Sequence, residues 1–235
     1  MVLVTLDTKM MGRLRYLLRR GAFALGGGSA RRRFSKIYTA NVFGSSESRS
    51  GEGSNLAQTE TVRRELPGLL GRLGVKTLLD APCGDFNWLH ITPLPLEAYI
   101  GIDIVEELVK KNARQDAGPG REFRCLDLIK DPLPRADLIL CRDCLVHLTF
   151  DQARAALRNF RRSGATYLLT TTFTDCVKNT DLRWGKIWRP LNLQLPPFNF
   201  SAPRALINEN CTEENGRFRD KCLGLWALGE LRIAE

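Results

Sequence analysis

The chain has 235 residues, 43% of them apolar, and a formal net charge of +9. That is enough apolar material for one good-sized core, and no run reaches the roughly 18 apolar residues a membrane-spanning helix needs. A charge of this sign suggests a nucleic-acid or membrane partner, yet residues 1–34 hold eight basic residues against Asp7 alone, leaving +2 for the other 201. The body is near neutral, which argues against a body built to wrap nucleic acid.

The basic tail carries Lys9, Arg13, Arg15, Arg19, Arg20, Arg31, Arg32 and Arg33. Its stretch MGRLRYLLRRGAFALGGGSARRRF has the pattern of a short amphipathic helix and a Gly hinge. That composition suits contact with an anionic surface, an organelle-targeting segment, or a solvated terminus. Arg residues interrupt the apolar piece and no clear cleavage site follows, which counts against a secretory signal. Next, FGSSESRSGEGS at residues 43–54 combines Gly with hydroxyls, Glu47 and Arg49. It reads either as a closing loop or as a Ser/Gly linker. Residues 1–54 are therefore expected to be tail and lid segment, and residues 55–235 a single domain.

Leu56, Thr59, Val62, Arg63, Leu66 and Leu69 follow helical spacing, which predicts a helix over 55–73 with Ser54 or Asn55 as N-cap and Gly74 as its stop. Strands are predicted at 76–81, 98–103, 122–126, 136–141 and 166–173, with helical patterns at 86–90, 105–114 and 150–161. Short, all-apolar strands alternating with helices predict a parallel sheet covered on both faces. Residues 174–203 are Trp-bearing and Pro-rich (WGKIWRPLNLQLPPFNFSAP at 184–203), and a segment of that length without periodicity is expected to be a substrate-side insertion. Apolar pieces at 204–208 and 222–228 read as a terminal hairpin-like pair.

Seven cysteines, an odd number, suit reduced, buried thiols in a cytoplasmic protein. Cys141 and Cys144 form a CxxC with no second CxxC or spaced His pair, so no metal site is expected.

In an open parallel sheet ligands bind beyond the carboxyl ends of the strands. The first strand ends in DAPCGD, the second at Asp103 in YIGIDIV, the third at Asp127 in FRCLDL, and the fourth in CRDCLVHL. Asp103 is placed to accept from both ribose hydroxyls of a nucleoside, and Asp127 to accept from an exocyclic amine. Gly84 admits close backbone approach, and Asp80 or Asp85 could meet an ammonium group. A dinucleotide would need a Gly-rich turn of free N–H groups around a pyrophosphate. Here the turn holds one Gly, the N–H-less Pro82 and two acids, which disfavours NAD.

These residues resemble the class I S-adenosylmethionine-dependent methyltransferases. DAPCGD (residues 80–85) resembles that family's first motif, an acid before a Gly-rich turn, although Pro82 stands where a Gly is common. GID at 101–103 resembles the acid motif of the second strand, LDL at 126–128 the adenine-edge motif, and DLILCRDCLVHL at 137–148 the fourth-strand motif. The resemblance covers about residues 55–173 well and the terminal strands loosely. It implies a Rossmann-like three-layer α/β/α sandwich, with a mostly parallel seven-stranded sheet and an antiparallel last strand. It also implies S-adenosyl-L-methionine as cofactor, held by Asp80, Pro82, Gly84, Asp85, Asp103, Ile104, Asp127, Leu128 and Arg142.

Methyl transfer from a sulfonium asks the protein to position and desolvate the acceptor, and a hydroxyl acceptor benefits from a general base. His147 is one candidate, the other reading being a packed histidine at a strand–helix junction. Asp143 is the second, as base, orienting group or structural carboxylate, and Arg142 beside it either steers an anionic acceptor or pairs with Asp143. Arg49, Trp184 and Arg189 are the candidate substrate contacts, since Trp faces suit sugars and nucleobases alike. The expected function is O-methylation of a small molecule, such as a sugar, a sugar-linked intermediate or a specialised metabolite. RNA or protein methylation is the alternative, and a non-catalytic cofactor-binding protein a third. The Asp/Asn-Pro-Pro-Tyr signature of amino methylation is absent from the fourth strand, where CRDC stands.

Overall fold

The computed structural model describes residues 29–182 and 186–233. The basic stretch before residue 29, and Trp184, lie outside the described residues. In chain order the elements are α1 (Ala30–Thr39), α2 (Glu60–Leu73), β1 (Thr77–Asp80), β2 (Ala98–Asp103), α3 (Glu106–Asp116), β3 (Arg121–Cys125), β4 (Leu138–Cys141), α4 (Phe150–Arg162), β5 (Tyr167–Phe173), β6 (Ala205–Asn208) and β7 (Lys221–Ala227).

The seven strands form one sheet in the order β3-β2-β1-β4-β5-β7-β6. β1 pairs in parallel with β2 and β4, and β4 with β5. β7 inserts antiparallel between β5 and β6. The strand order reverses at β1, so the carboxyl ends of β1, β2 and β4 meet at a switch point where ligands bind in open α/β sheets.

Alternation along each strand divides the apolar residues between two faces. Leu78 joins Leu138, Leu140, Leu169 and Leu223 on the face covered by Val62, Leu66 and Leu70 of α2. Leu79 joins Ile102, Ile139, Leu168 and Trp226 on the face covered by Leu157 and Phe160 of α4. Burying each such side chain contributes about 1.5–3 kcal/mol, so both helices are fixed to the sheet. α2 ends at Gly74, whose left-handed backbone (φ 64°) returns the Val75 N–H to the Leu70 carbonyl. A reciprocal capping box of Thr149 and Gln152 opens α4.

Two expectations are corrected. α2 starts at Glu60 rather than residue 55, because 55–59 form turns in which the Thr59 hydroxyl bonds back to the Asn55 carbonyl. Residues 86–90 form turns, not a helix. Phe86 adopts a left-handed backbone (φ 58°) that a right-handed helix cannot continue, and its ring is buried against Tyr99 and Phe123. The 174–203 segment also supplies core: Leu191, Leu193, Phe198 and Phe200 are buried with α4 and Trp226, while most of its other described residues stay at least partly exposed.

Candidate active site

One cavity opens at the carboxyl edge of the sheet, with about 1090 Å³ of empty space counting its mouth. Asp80, Asp103 and Asp127 all line it, with Pro82, Gly84, Ile104, Leu128, Arg142, Asp143 and His147. Asp80 and Asp103 are the last residues of β1 and β2. The Tyr99 hydroxyl donates to Asp80 at 2.7 Å. Burial pushes the Asp80 carboxyl up to about 7, the Tyr99 hydrogen bond opposing and Asp103 adding to the rise. Asp103 accepts from the Val105 N–H at 2.9 Å and the Gly84 N–H at 3.3 Å. Burial still lifts it to about 6 against these bonds. Two buried acids held above the usual carboxylate range are a setting that a cationic ligand would ionise.

Asp127 accepts from the Ile129 N–H, which shapes the loop that brings Leu128 and Ile129 to the cavity. Gly84 has φ +53°, and a Cβ there would lie 2.4 Å from the Ser50 hydroxyl. Glycine is required on both counts. Asp85, expected at the ligand, does not line the cavity. Its carboxylate accepts from the Ser48 hydroxyl, the Arg49 N–H and the Ser50 hydroxyl, so it holds the 43–54 segment, from which Arg49, Ser50 and Ser54 reach the cavity.

At the end of β4, Arg142 is 7% exposed and lies over the Trp88 ring. Its Nε and Nη2 donate to the two oxygens of Glu209 at 3.2 and 2.6 Å, and Nη2 also donates to the Gly53 carbonyl at 2.7 Å. Asp143 sits 3.4 Å from Arg142 and accepts from Lys221 Nζ at 2.6 Å. Burial would raise the Asp143 carboxyl, but Lys221 and then Arg142 overcome it and hold it at about 2. A carboxylate so stabilised is a poor proton acceptor near neutral pH, which favours the structural-carboxylate reading of Asp143 over the base.

His147 differs. Its Nδ1 lies 2.5 Å from the Ile187 carbonyl. A carbonyl only accepts, so Nδ1 carries the proton and Nε2 keeps its lone pair. Burial lowers its pKa, with the Ile187 bond and Asp143 opposing, so the ring is neutral near pH 7. The Phe43 ring stands 5.5 Å away.

Arg189, expected at the substrate, is buried away from the cavity. It donates to the carbonyls of Leu145, Leu148 and Thr180 and so ties Thr180 and its own backbone to the β4–α4 connection. The sequence reading missed the roof. Ala30, Phe34, Ile37 and Tyr38 of α1 line the cavity with Phe43 and Trp88. The i, i+3, i+4 spacing of Phe34, Ile37 and Tyr38 is a helical signal, obscured by the surrounding cations. Glu209 and Lys221 were missed as partners of Arg142 and Asp143. Among the described residues, no group of three or more His, Cys, Asp or Glu could hold a metal ion.

No family model matches the chain, and no curated protein matches it. Solved structures do. The N-methyltransferase NodS from Bradyrhizobium japonicum WM9, in complex with S-adenosyl-L-homocysteine, aligns over 82% of this chain and 98% of its own at 14% identity and a TM-score of 0.60. The chain has the class I methyltransferase fold. Two further structures align over nearly the whole chain. Magnesium protoporphyrin IX methyltransferase (ChlM) from Synechocystis PCC 6803, with bound S-adenosylmethionine, covers 95% of this chain and 98% of its own at 16% identity and a TM-score of 0.51. A possible exported protein from Bordetella parapertussis covers 96% and 98% at 14% identity and a TM-score of 0.53. In this methyltransferase fold the antiparallel strand is β7, next to the last position in the sheet. No described helix is long and apolar enough to cross a membrane.

Proposed function

We propose that this protein is an S-adenosyl-L-methionine-dependent methyltransferase acting on a hydroxyl oxygen of a small molecule. The observation that carries the reading is the convergence of three successive strand-end acids, Asp80, Asp103 and Asp127, with Gly84 in one cavity. Asp103 suits ribose hydroxyls, Asp127 with Ile104 and Leu128 suits a purine, and Asp80 suits an ammonium group. Asp80 and Asp103, both raised by burial, fit a ligand with a fixed positive charge. The S-adenosylmethionine named in the ChlM structure carries such a charge on its sulfonium, and the S-adenosylhomocysteine named in the NodS structure keeps the ammonium group.

Bound S-adenosylmethionine supplies a methyl group already activated by its sulfonium. The chain's own residues do the rest. Phe43, Trp88 and Leu148 provide aromatic and apolar wall for a flat ring or the apolar face of a sugar. His147 Nε2 accepts the hydroxyl proton as the acceptor oxygen forms its new bond to carbon and the carbon–sulfur bond breaks. Arg49, the least constrained cation at the cavity, is placed to meet an anionic group on the acceptor. Enclosure beneath α1 and residues 43–54 supports a small acceptor over a polymer, and the retained acids support turnover over a degenerate binding protein.

Calorimetric titration of S-adenosylhomocysteine into wild type and Asp103→Asn tests the pocket. A loss of affinity of about 10- to 100-fold in the variant is expected for a buried charged hydrogen-bond acceptor. Absence of binding to wild type would overturn the reading. Labelled methyl transfer to hydroxylated aromatic, sugar and RNA acceptors then separates the acceptor classes.

A further inference from the structure

Around Arg142 lies a charged cluster drawn from four places in the chain. Glu209, just after β6, is 3% exposed, and Lys221, at the start of β7, is 4% exposed. Lys221 Nζ lies 2.6 Å from Asp143, 3.3 Å from Glu209 and 4.0 Å from Glu213. Such clusters add little stability over apolar packing of the same volume, so stability alone does not account for this one. The cluster touches more than itself. The turn Glu52–Ser54 is seated on it through the Arg142–Gly53 hydrogen bond. A Cβ on Gly53 would stand 3.2 Å from Asp143 Oδ2 and 3.4 Å from both Glu213 Oε2 and Lys221 Nζ. The same segment is tied at its other side to the loop after β1. There Asp85 receives Ser48, Arg49 and Ser50, and Asn87 donates to Glu47 and to the Ser54 carbonyl. Residues 47–54 thus form a strap between two anchors, with Arg49, Ser50 and Ser54 facing the cavity.

We propose that Glu209 is a positioning residue of the cleft: by its two-point grip it aims Arg142 at the Gly53 carbonyl and latches the strap over the cavity. A guanidinium held by one carboxylate edge has its remaining donors fixed in direction. Without Glu209, Arg142 is free to turn to Asp143, already 3.4 Å away, and the Gly53 carbonyl loses its donor. Retention of the cofactor by this latch rests on the methyltransferase reading, whereas opening of the strap does not.

The test is segment-resolved amide exchange on the full chain, with dissociation of S-adenosylhomocysteine measured in parallel, for Glu209→Gln and Gly53→Ala. The second variant keeps every charge and crowds the turn against Asp143, Glu213 and Lys221, so it serves where Glu209→Gln fails to fold. In both, the Ser54 and Asn55 amides, which bond the Gly51 and Glu52 carbonyls, should exchange at least about tenfold faster while β7 stays within about twofold. Dissociation should quicken by a similar factor. Wild-type exchange at 54–55 in both variants would overturn the latch, as would equal loosening of β6, β7 and the strap, the mark of a general staple. Faster strap exchange with no wild-type binding of S-adenosylhomocysteine would uphold the latch and sink the methyltransferase reading instead.

Discussion

Ligand affinity should depend steeply on pH below neutrality, because Asp80 must ionise to receive an ammonium group and Asp103 to accept fully from ribose hydroxyls. In the free protein their carboxyls stand at about 7 and about 6, against an ordinary value of 3.8. Ionising them in the empty cavity costs about 4 and 3 kcal/mol respectively, at 1.36 kcal/mol per pH unit of displacement. For acids raised on folding, stability is fully present below the unfolded value near 4 and is lost as pH climbs through 6 and 7. Binding of a ligand that needs both acids ionised runs the other way. The doubly ionised fraction rises about fiftyfold from pH 5 to 6, tenfold from 6 to 7 and twofold from 7 to 8, treating the acids as independent. Titration calorimetry with S-adenosylhomocysteine at these four pH values should follow that curve. Between one and two protons should be released per ligand at pH 5.5, counted from buffers of different ionisation enthalpy. Asp80→Asn should remove the upper step and leave a single rise near pH 6. Affinity flat from pH 5 to 7.5, with no proton release, would refute the claim that these acids bind the ligand in their ionised form.

Three further outcomes follow from the geometry. His147→Gln should lower kcat for a hydroxyl acceptor by about 10²–10⁴ and leave S-adenosylhomocysteine affinity within about twofold, measured by single-turnover transfer and calorimetry. Gly84→Ala, which drives a Cβ into the Ser50 hydroxyl at a left-handed position, should abolish measurable ligand binding while the circular dichroism spectrum stays that of wild type. Arg189→Ala strips the donor from the Leu145, Leu148 and Thr180 carbonyls. It should cost about 3 kcal/mol, a fall in Tm of about 6–12 °C by differential scanning fluorimetry.

What the sequence discloses here follows from locality. Strands buried on both faces are short continuous apolar runs, so LILC at 138–141 and YIGI at 99–102 announce themselves. The acids that close TLLD and AYIGID, Asp80 and Asp103, are legible as strand-end residues because each stands where an apolar run stops. Phe86 was misread because residues 86–90 look helical, while the decisive fact is a left-handed backbone imposed by burial of its ring among aromatics from β2 and β3. Arg189 was misassigned because an Arg among aromatics looks the same whether its donors face a ligand or main-chain carbonyls. Glu209 and Lys221 stand 67 and 79 residues after Arg142 in the chain. Only the placing of β7 between β5 and β6 brings them together.

That strand order also shapes the chain's synthesis. β5 is complete at Phe173, but its partner β7 begins at Lys221, 48 residues later. At about 5–20 residues per second, a ribosome takes about 2–10 s to supply it. Meanwhile the row of amides and carbonyls along YLLTTTF has no neighbour on one side, and β6, made in the interval, pairs only with β7. An unpaired apolar edge is a template for joining another chain. The nascent protein therefore passes through a window in which its newly made sheet is sticky, and a holdase that binds extended apolar segments would find its target at β5.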